Sequence, residues 1–526
     1  MAGQAGSGGA SSGEDGRAVL TLDPAFVVGA VDERLFGSFV EHMGRCVYTG
    51  IFEPGHPSAD DAGFRRDVLD LTRELGVSVV RYPGGNFVSS YRWEDGVGPQ
   101  EERPTRLDLA WRAVEPNQVG VNEFMTWARD AGVEPMMAVN LGTRGVQEAV
   151  DLIEYCNHAE GSYFSDLRRR HGFEKPHDIK LWCLGNELDG PWQMGRKTAT
   201  EYGRLAAETA KAMRMVDRDI ELVAVGSSNF RMPSFGAWEA EVLEHTYEHV
   251  DYISLHDYYE ETDGDLASFL ASSTDMDAFI DAVVATADHV GAKVGSRKKL
   301  RLSFDEWNVW YQSRFVGQRN LEWTLAPDLI EDEFNVADAV VVGSFLITLL
   351  RHADRVGVAC QAQLVNIIAP IRTEPGGPAW RQTIFHPFAE TARLARGAVL
   401  RIEPVGPSCD TAKYGQVSAL DATATYDEES GETVLFAVNR QLEGTLPVEV
   451  DLRALVDRHG DLVVAEHLVV ADADTRATNT RDQPDRVTPR RGSGAEVRDR
   501  RLCVELPPLS WQAIRLQPNV TPKGPR

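Results

Sequence analysis

Between residues 35 and 370 short apolar runs alternate with longer stretches in which apolar positions recur at helical spacing. That alternation predicts repeated strand–helix units around a parallel sheet. The strand candidates are residues 35–41 (LFGSFVE), 77–84, 134–140, 180–187, 221–227, 252–258, 300–306 and 362–368. Among the stretches between them, residues 61–75, 121–131, 199–216 and 338–350 read as helices. Eight such repeats predict an α/β fold, a (β/α)8 TIM barrel, expected over residues 31–385. Beyond about Phe388 the texture changes to short runs separated by turn residues, at 416–426, 432–439, 446–452, 462–470 and 506–516. These predict a C-terminal antiparallel β-sandwich over residues 386–518. The segment AVLTLD at 18–23 alternates like a strand, so residues 17–30 are expected to pair with that sandwich. Residues 1–16, rich in Gly, Ala and Ser, read as a disordered tail and 519–526 as a second tail. The Arg/Asp/Thr-rich stretch 472–500 has no apolar period and reads as a solvated loop.

Charge narrows the partners. Eighty acidic against 54 basic residues give a net charge of −26, and so negative a surface repels nucleic-acid phosphates and anionic lipid. The longest uncharged apolar stretch, 339–350, is well short of the roughly 20 residues a bilayer span needs. The N-terminus has neither a basic nor an apolar region of the secretory type. Six scattered cysteines without a CxxC pair suit a reducing compartment. The expected location is the cytoplasm, and neither nucleic acid nor membrane is expected as a partner.

Most predicted strands end on polar residues: Glu41, Asn140, Glu187, Ser227, Tyr258 and Glu306. Active sites of such barrels lie at the carboxyl ends of the strands. Gly185-Asn186-Glu187 ends the fourth predicted strand and Asp305-Glu306-Trp307 the seventh, nearly opposite each other around an eight-stranded ring. Two carboxylates facing across a barrel mouth are the equipment of glycoside hydrolysis, one protonating the leaving oxygen and the other attacking the anomeric carbon. Strict alternation would send Asn186 and Glu187 to opposite faces, so both reach the mouth only if the chain bends there. Glu41, Asn86 and Gln363 are suitable partners for sugar hydroxyls, and glycines before Asn86 would let backbone approach a ligand. Tyr258 shares a face with His256, and either could orient a catalytic carboxylate. Trp111, Trp192, Trp307 and Trp310 are candidate stacking platforms.

Other chemistries find no equipment. His245 and His249 have helical spacing but precede the sixth strand, and there is no HxH, HExxH or Walker A motif. No Lys closes a predicted strand, which argues against a Schiff-base aldolase. A GxSxG match, GASSG at 9–13, lies in the tail without the strand-to-helix turn a nucleophile elbow requires.

The strings FGSFVEHMGRCVYTGIFEPGHP from Phe36, VVRYPGGNFVSSYRWEDGVGP from Val79, KLWCLGNELDGPWQMG from Lys180, LSFDEWNVWY from Leu302, AQLVNIIAPI from Ala362 and WRQTIFHPF from Trp380 closely resemble the intracellular exo-α-L-arabinofuranosidases of glycoside hydrolase family 51. The resemblance implies a barrel with a C-terminal β-sandwich, a retaining double displacement, no metal or organic cofactor, and a homohexamer. It makes Glu187 the acid/base and Glu306 the nucleophile. Glu41, Asn86 and Asn186 become partners of arabinofuranose hydroxyls and Tyr258 a partner of the nucleophile region, with Trp310 and Gln363 among the substrate-recognising residues. The implied substrates are arabinose-containing oligosaccharides. Alternatives on the same barrel are a retaining endo-β-glucanase or β-xylosidase, or a non-catalytic sugar-binding protein.

Overall fold

A computed structural model describes residues 16–319 and 321–519. The expected tails at 1–16 and 519–526 lie outside these residues apart from Gly16 and Asn519. Eight parallel strands close a barrel in sequence order: β1 (Gly37–Phe39), β2 (Val79–Tyr82), β3 (Glu134–Ala138), β4 (Leu181–Cys183), β5 (Glu221–Ala224), β6 (Tyr252–Tyr259), β7 (Arg301–Val309) and β8 (Val356–Gln361). Nearly every strand residue is buried, as expected of strands covered inside by their own side chains and outside by helices.

Helix boundaries follow local chemistry. Helix Arg66–Leu75 stops at Gly76, whose φ of 77° permits the left-handed cap that few other residues tolerate. Helix Ala199–Val216 starts where the Thr198 side chain accepts from Glu201 N–H and Glu201 answers to the Thr198 backbone. Helix Val336–Arg351 is buried along almost all its length, because the barrel covers one side and the sandwich the other.

The eighth strand is a correction. Residues 362–368 are not a strand but a buried loop, and β8 precedes them at Val356–Gln361. The apolar run 362–368 mimics a strand, yet Asn366 (φ 62°) and Ile368 (φ 40°) lie in the left-handed region. Its groups find partners outside a ladder, as when Leu364 N–H donates to Phe39 O at 2.9 Å.

The second domain packs a seven-stranded sheet against a four-stranded one. The N-terminal strands divide between them: Val27–Ala30 edges the larger sheet, and Ala18–Thr21 pairs with Leu446–Asp451 in the smaller, in parallel rather than antiparallel. The single predicted strand 506–516 is two strands, Arg501–Leu506 and Ser510–Pro518, in different sheets. Pro507 and Pro508 between them cannot donate to a ladder. The 472–500 stretch is less solvated than expected, since Ala477, Asn479 and Val487 are buried and Asn479 exchanges two hydrogen bonds with Val487.

A buried ion pair ties the two domains. Asp421, on sandwich strand Leu420–Tyr426, accepts from Arg440 at 2.6 Å, from Arg351 at the end of the barrel helix at 2.5 Å, and from Ser273 at 3.0 Å. Burial alone would raise the Asp421 pKa, but the two guanidinium charges overcome it and hold the group at about 2 against an ordinary 3.8. A depressed folded-state value contributes stability above the unfolded pKa. The contribution, about 2 kcal/mol, should be present above about pH 4 and vanish as pH falls through 2. Asp421→Asn leaves the buried Arg440 guanidinium and the partly exposed one of Arg351 short of a carboxylate and should cost about 3–5 kcal/mol. Thermal unfolding at pH 7 and at about pH 1.5, below the folded-state value, checks both statements, with the gap between wild type and variant narrowing by about 2 kcal/mol in acid.

Candidate active site

The β4 end shows the bend the sequence requires. Strand β4 stops at Cys183, Gly185 takes φ 102° and Glu187 takes φ 44°. A left-handed glutamate is uncommon and strained. Here the turn carries both Asn186 and Glu187 into the mouth.

A different device serves β7. Its register slips against β6 between Ser254 and His256, and against β8 between Phe304 and Trp307. An extra residue at a bulge cancels the alternation, so the adjacent carboxylates of Asp305 and Glu306 both face inward. Glu306 accepts from Arg81 Nη1 at 2.7 Å through Oε1 and from Tyr258 Oη at 2.8 Å through Oε2. With both oxygens engaged as acceptors, the carboxylate is held in one orientation at the wall of the cavity.

Glu187 lies opposite. Its Oε1 is 3.0 Å from His256 Nδ1, and its Oε2 accepts from Trp192 Nε1 at 2.6 Å. Burial raises the Glu187 pKa and the nearby Glu306 charge adds to it, against the lowering effect of His256. His256 Nε2 reaches Asp305 Oδ1 at 3.0 Å. Burial pulls the imidazole down, but Glu306, Asp305 and Glu187 outweigh it and push the pKa up to about 10. At neutral pH the ring is a cation that donates from both nitrogens. Asp305 is held below the usual carboxylate range, because Arg81 and His256 overcome its burial.

Toward the ends of β1 and β2 the mouth is lined by Glu41 and by the amides of Asn86, Asn186 and, from the loop after β8, Gln363. Glu41 accepts from Phe87 N–H at 2.9 Å, Trp111 Nε1 at 2.7 Å and Gln363 Nε2 at 3.1 Å. Burial, with smaller help from Glu306 and Asp108, pushes its pKa up to about 8. Asn186 accepts from Arg81 at 2.7 Å and donates to Asn86 Oδ1 at 3.3 Å. Glycine is required beneath them: a Cβ on Gly84 (φ 139°) would lie 2.4 Å from Glu41 Cγ, and one on Gly85 would crowd Glu41 and Glu306 at 3.1 and 3.2 Å.

These groups surround a cavity of about 390 Å³, room for a ligand of small-molecule size. All eight residues singled out by sequence converge around this site: Glu41, Asn86, Asn186, Glu187, Tyr258, Glu306, Trp310 and Gln363. Trp310 lies edge-on to Tyr258 with ring centroids 5.2 Å apart. Of the other tryptophans considered as platforms, Trp111 and Trp192 line the cavity, while Trp307 is fully buried in the barrel wall. Sequence reading missed Arg81 and Asp305. A charged residue in the apolar run VSVVRYPG was the available signal for Arg81, whereas Asp305 was masked by the alternation that the bulge cancels.

Ligand atoms of Glu187, His256 and Glu306 lie within 4.8 Å of one another. The set could hold a cation, but His256 and Arg81 already place two positive charges against these carboxylates.

A closed parallel barrel with a C-terminal sandwich and facing carboxylates at its strand ends is the architecture of a glycoside hydrolase. The families described as "Alpha-L-arabinofuranosidase 1 domain" and "Alpha-L-arabinofuranosidase C-terminal domain" match residues 71–275 and 305–510. An intracellular exo-α-(1→5)-L-arabinofuranosidase from Streptomyces lividans is 59% identical over 510 residues, covering 96% of this chain and 76% of its own. An exo-α-(1→6)-L-arabinofuranosidase from Bifidobacterium longum is 49% identical, covering 95% and 97%. The solved structure of a family 51 α-L-arabinofuranosidase from Bifidobacterium longum superposes with a TM-score of 0.91 at 46% identity, covering 96% of this chain and all of that one. The chain belongs to the α-L-arabinofuranosidases of glycoside hydrolase family 51.

Proposed function

We propose that this enzyme releases terminal non-reducing α-L-arabinofuranosyl units from arabinose-containing oligosaccharides by a retaining double displacement. Glu306 attacks the anomeric carbon while Glu187 protonates the departing oxygen. Glu187 then takes a proton from water as it displaces Glu306, and arabinose leaves with its configuration kept. The observation that carries this reading is the separation of the two carboxylates: an oxygen of each lies within 4.8 Å. Retaining pairs stand about 5–5.5 Å apart, whereas inverting pairs need about 6.5–9.5 Å to admit a water.

The surroundings suit these roles. The raised pKa of Glu187 keeps a proton available, and the negative charge of Glu306 that helps raise it is spent when the glycosyl ester forms. Arg81 and Tyr258 orient Glu306. Glu41, Asn86, Asn186, Trp310 and Gln363 form the pocket for the arabinofuranosyl ring. Names of relatives such as the intracellular exo-α-(1→5) enzyme support exo-acting release of arabinofuranosyl units inside the cell, and because the relatives include both (1→5) and (1→6) enzymes the proposal covers either linkage.

Hydrolysis of p-nitrophenyl α-L-arabinofuranoside beside the β-D-xylopyranoside and β-D-glucopyranoside tests the substrate. The arabinofuranoside should be turned over far faster than the others. A preference for another glycoside would keep the chemistry and overturn the substrate, and turnover of none would restore the binding-protein alternative.

A further inference from the structure

We propose that Arg231 determines specificity for the leaving group, presenting a fixed guanidinium to the hydroxyls of the sugar from which arabinose is cut; this rests on the arabinofuranosidase reading above. The ring order of the barrel divides the mouth into two arcs. Gln363, Glu41 and Asn86 follow β8, β1 and β2, which are consecutive neighbours. The acid Glu187 follows β4, and the opposite arc continues through the segment after β5 to β6. The leaving oxygen must meet Glu187, so the saccharide beyond it lies against the β4–β5–β6 arc.

The segment after β5 is built to hold its polar groups still. Ser228 N–H donates to the Asp189 carboxylate at 3.1 Å, locking this segment to the loop of the acid. Phe230 packs on Phe235 and Phe279 with ring centroids 5.0 and 5.1 Å away, and its neighbours Asn229 and Arg231 line the cavity. The Arg231 side chain is 53% exposed, yet its Nη2 donates at 2.7 Å to Asp257, whose side chain is fully buried. A second donation, from Nη1 to Asp275 at 3.4 Å, steadies the other edge.

An exposed arginine pays side-chain entropy when a ligand orders it, and a buried carboxylate anchor removes much of that cost. These two bonds engage two of the five N–H donors of the fork, on a half-exposed side chain that lines the cavity. Asp257 and Asp275 together offset the guanidinium charge, so the cluster suits a neutral, hydroxyl-bearing leaving group better than an anion. No reacting atom is involved, which separates this role from that of the two glutamates.

The test compares kcat/KM for α-(1→5)-L-arabinobiose with kcat/KM for p-nitrophenyl α-L-arabinofuranoside, whose leaving group lacks hydroxyls. Arg231→Ala should lower the ratio of disaccharide to aryl glycoside by about 10- to 100-fold, the worth of hydrogen bonds to a charged group. Arg231→Lys, which keeps the charge and loses the fork, should give a smaller fall and serves if the alanine variant folds poorly. An unchanged ratio in both variants, with equal losses on the two substrates, would overturn the assignment and leave Arg231 a structural residue. Wild-type enzyme inactive on both arabinofuranosides would instead overturn the reading beneath it.

Discussion

Glu306→Ala should lower kcat/KM for every arabinofuranoside by about 10⁴-fold or more, since a covalent route cannot proceed without its nucleophile. The loss should not depend on the leaving group. The side chain is buried and bonded to Arg81 and Tyr258, so Glu306→Gln, which keeps the shape, separates lost chemistry from lost packing and should be as inactive. Azide fits the space the alanine variant opens beside the Arg81 cation. It should restore turnover of the activated aryl glycoside and yield the arabinosyl azide of inverted configuration, which product NMR distinguishes. Hydrolysis by the Gln variant at a rate near wild type would place the nucleophile elsewhere.

Glu187→Ala should behave differently according to what leaves. Oligosaccharides depart as poor alkoxide leaving groups and need the proton, so their kcat/KM should fall by about 10²–10⁴-fold. An activated phenol departs without that help, so its first step should survive while the second, which needs a base to activate water, becomes slow. Rapid-quench kinetics should then show a burst of phenol followed by a slow steady state. Azide should speed the steady state and give a product of retained configuration, opposite to that from the Glu306 variant. A uniform loss on both substrate types would deny Glu187 its acid role.

Much of this architecture was legible along the chain, and the exceptions have physical causes. Helices Val121–Ala131 and Ala199–Val216 match their expected bounds, because glycines or a capping box punctuate them. The eighth strand was misplaced because residues 362–368 look like a strand by composition while tertiary hydrogen bonds hold them as a loop. Local pattern cannot see that competition. Gln363 was nevertheless placed among the substrate partners, by its amide side chain and by the family resemblance, and the loop carries it to the mouth.

The network around the two glutamates was less legible. His256 bridges Glu187 and Asp305, partners 69 and 49 residues away, and Arg81 meets Glu306 across 225 residues. Only closure of the barrel brings such groups together. The bend at Gly185 could be anticipated because two chemically useful residues stood on adjacent positions. The bulge in β7 leaves no comparable mark, and with it the inward turn of Asp305 stayed hidden.

The most direct test of a covalent double displacement is mass spectrometry of the Glu187→Ala variant quenched during turnover of p-nitrophenyl α-L-arabinofuranoside. The intact protein should gain the mass of one anhydropentosyl unit, and peptide mapping should place it on Glu306. An unlabelled enzyme during the slow steady state, or a label on any other residue, would contradict the mechanism.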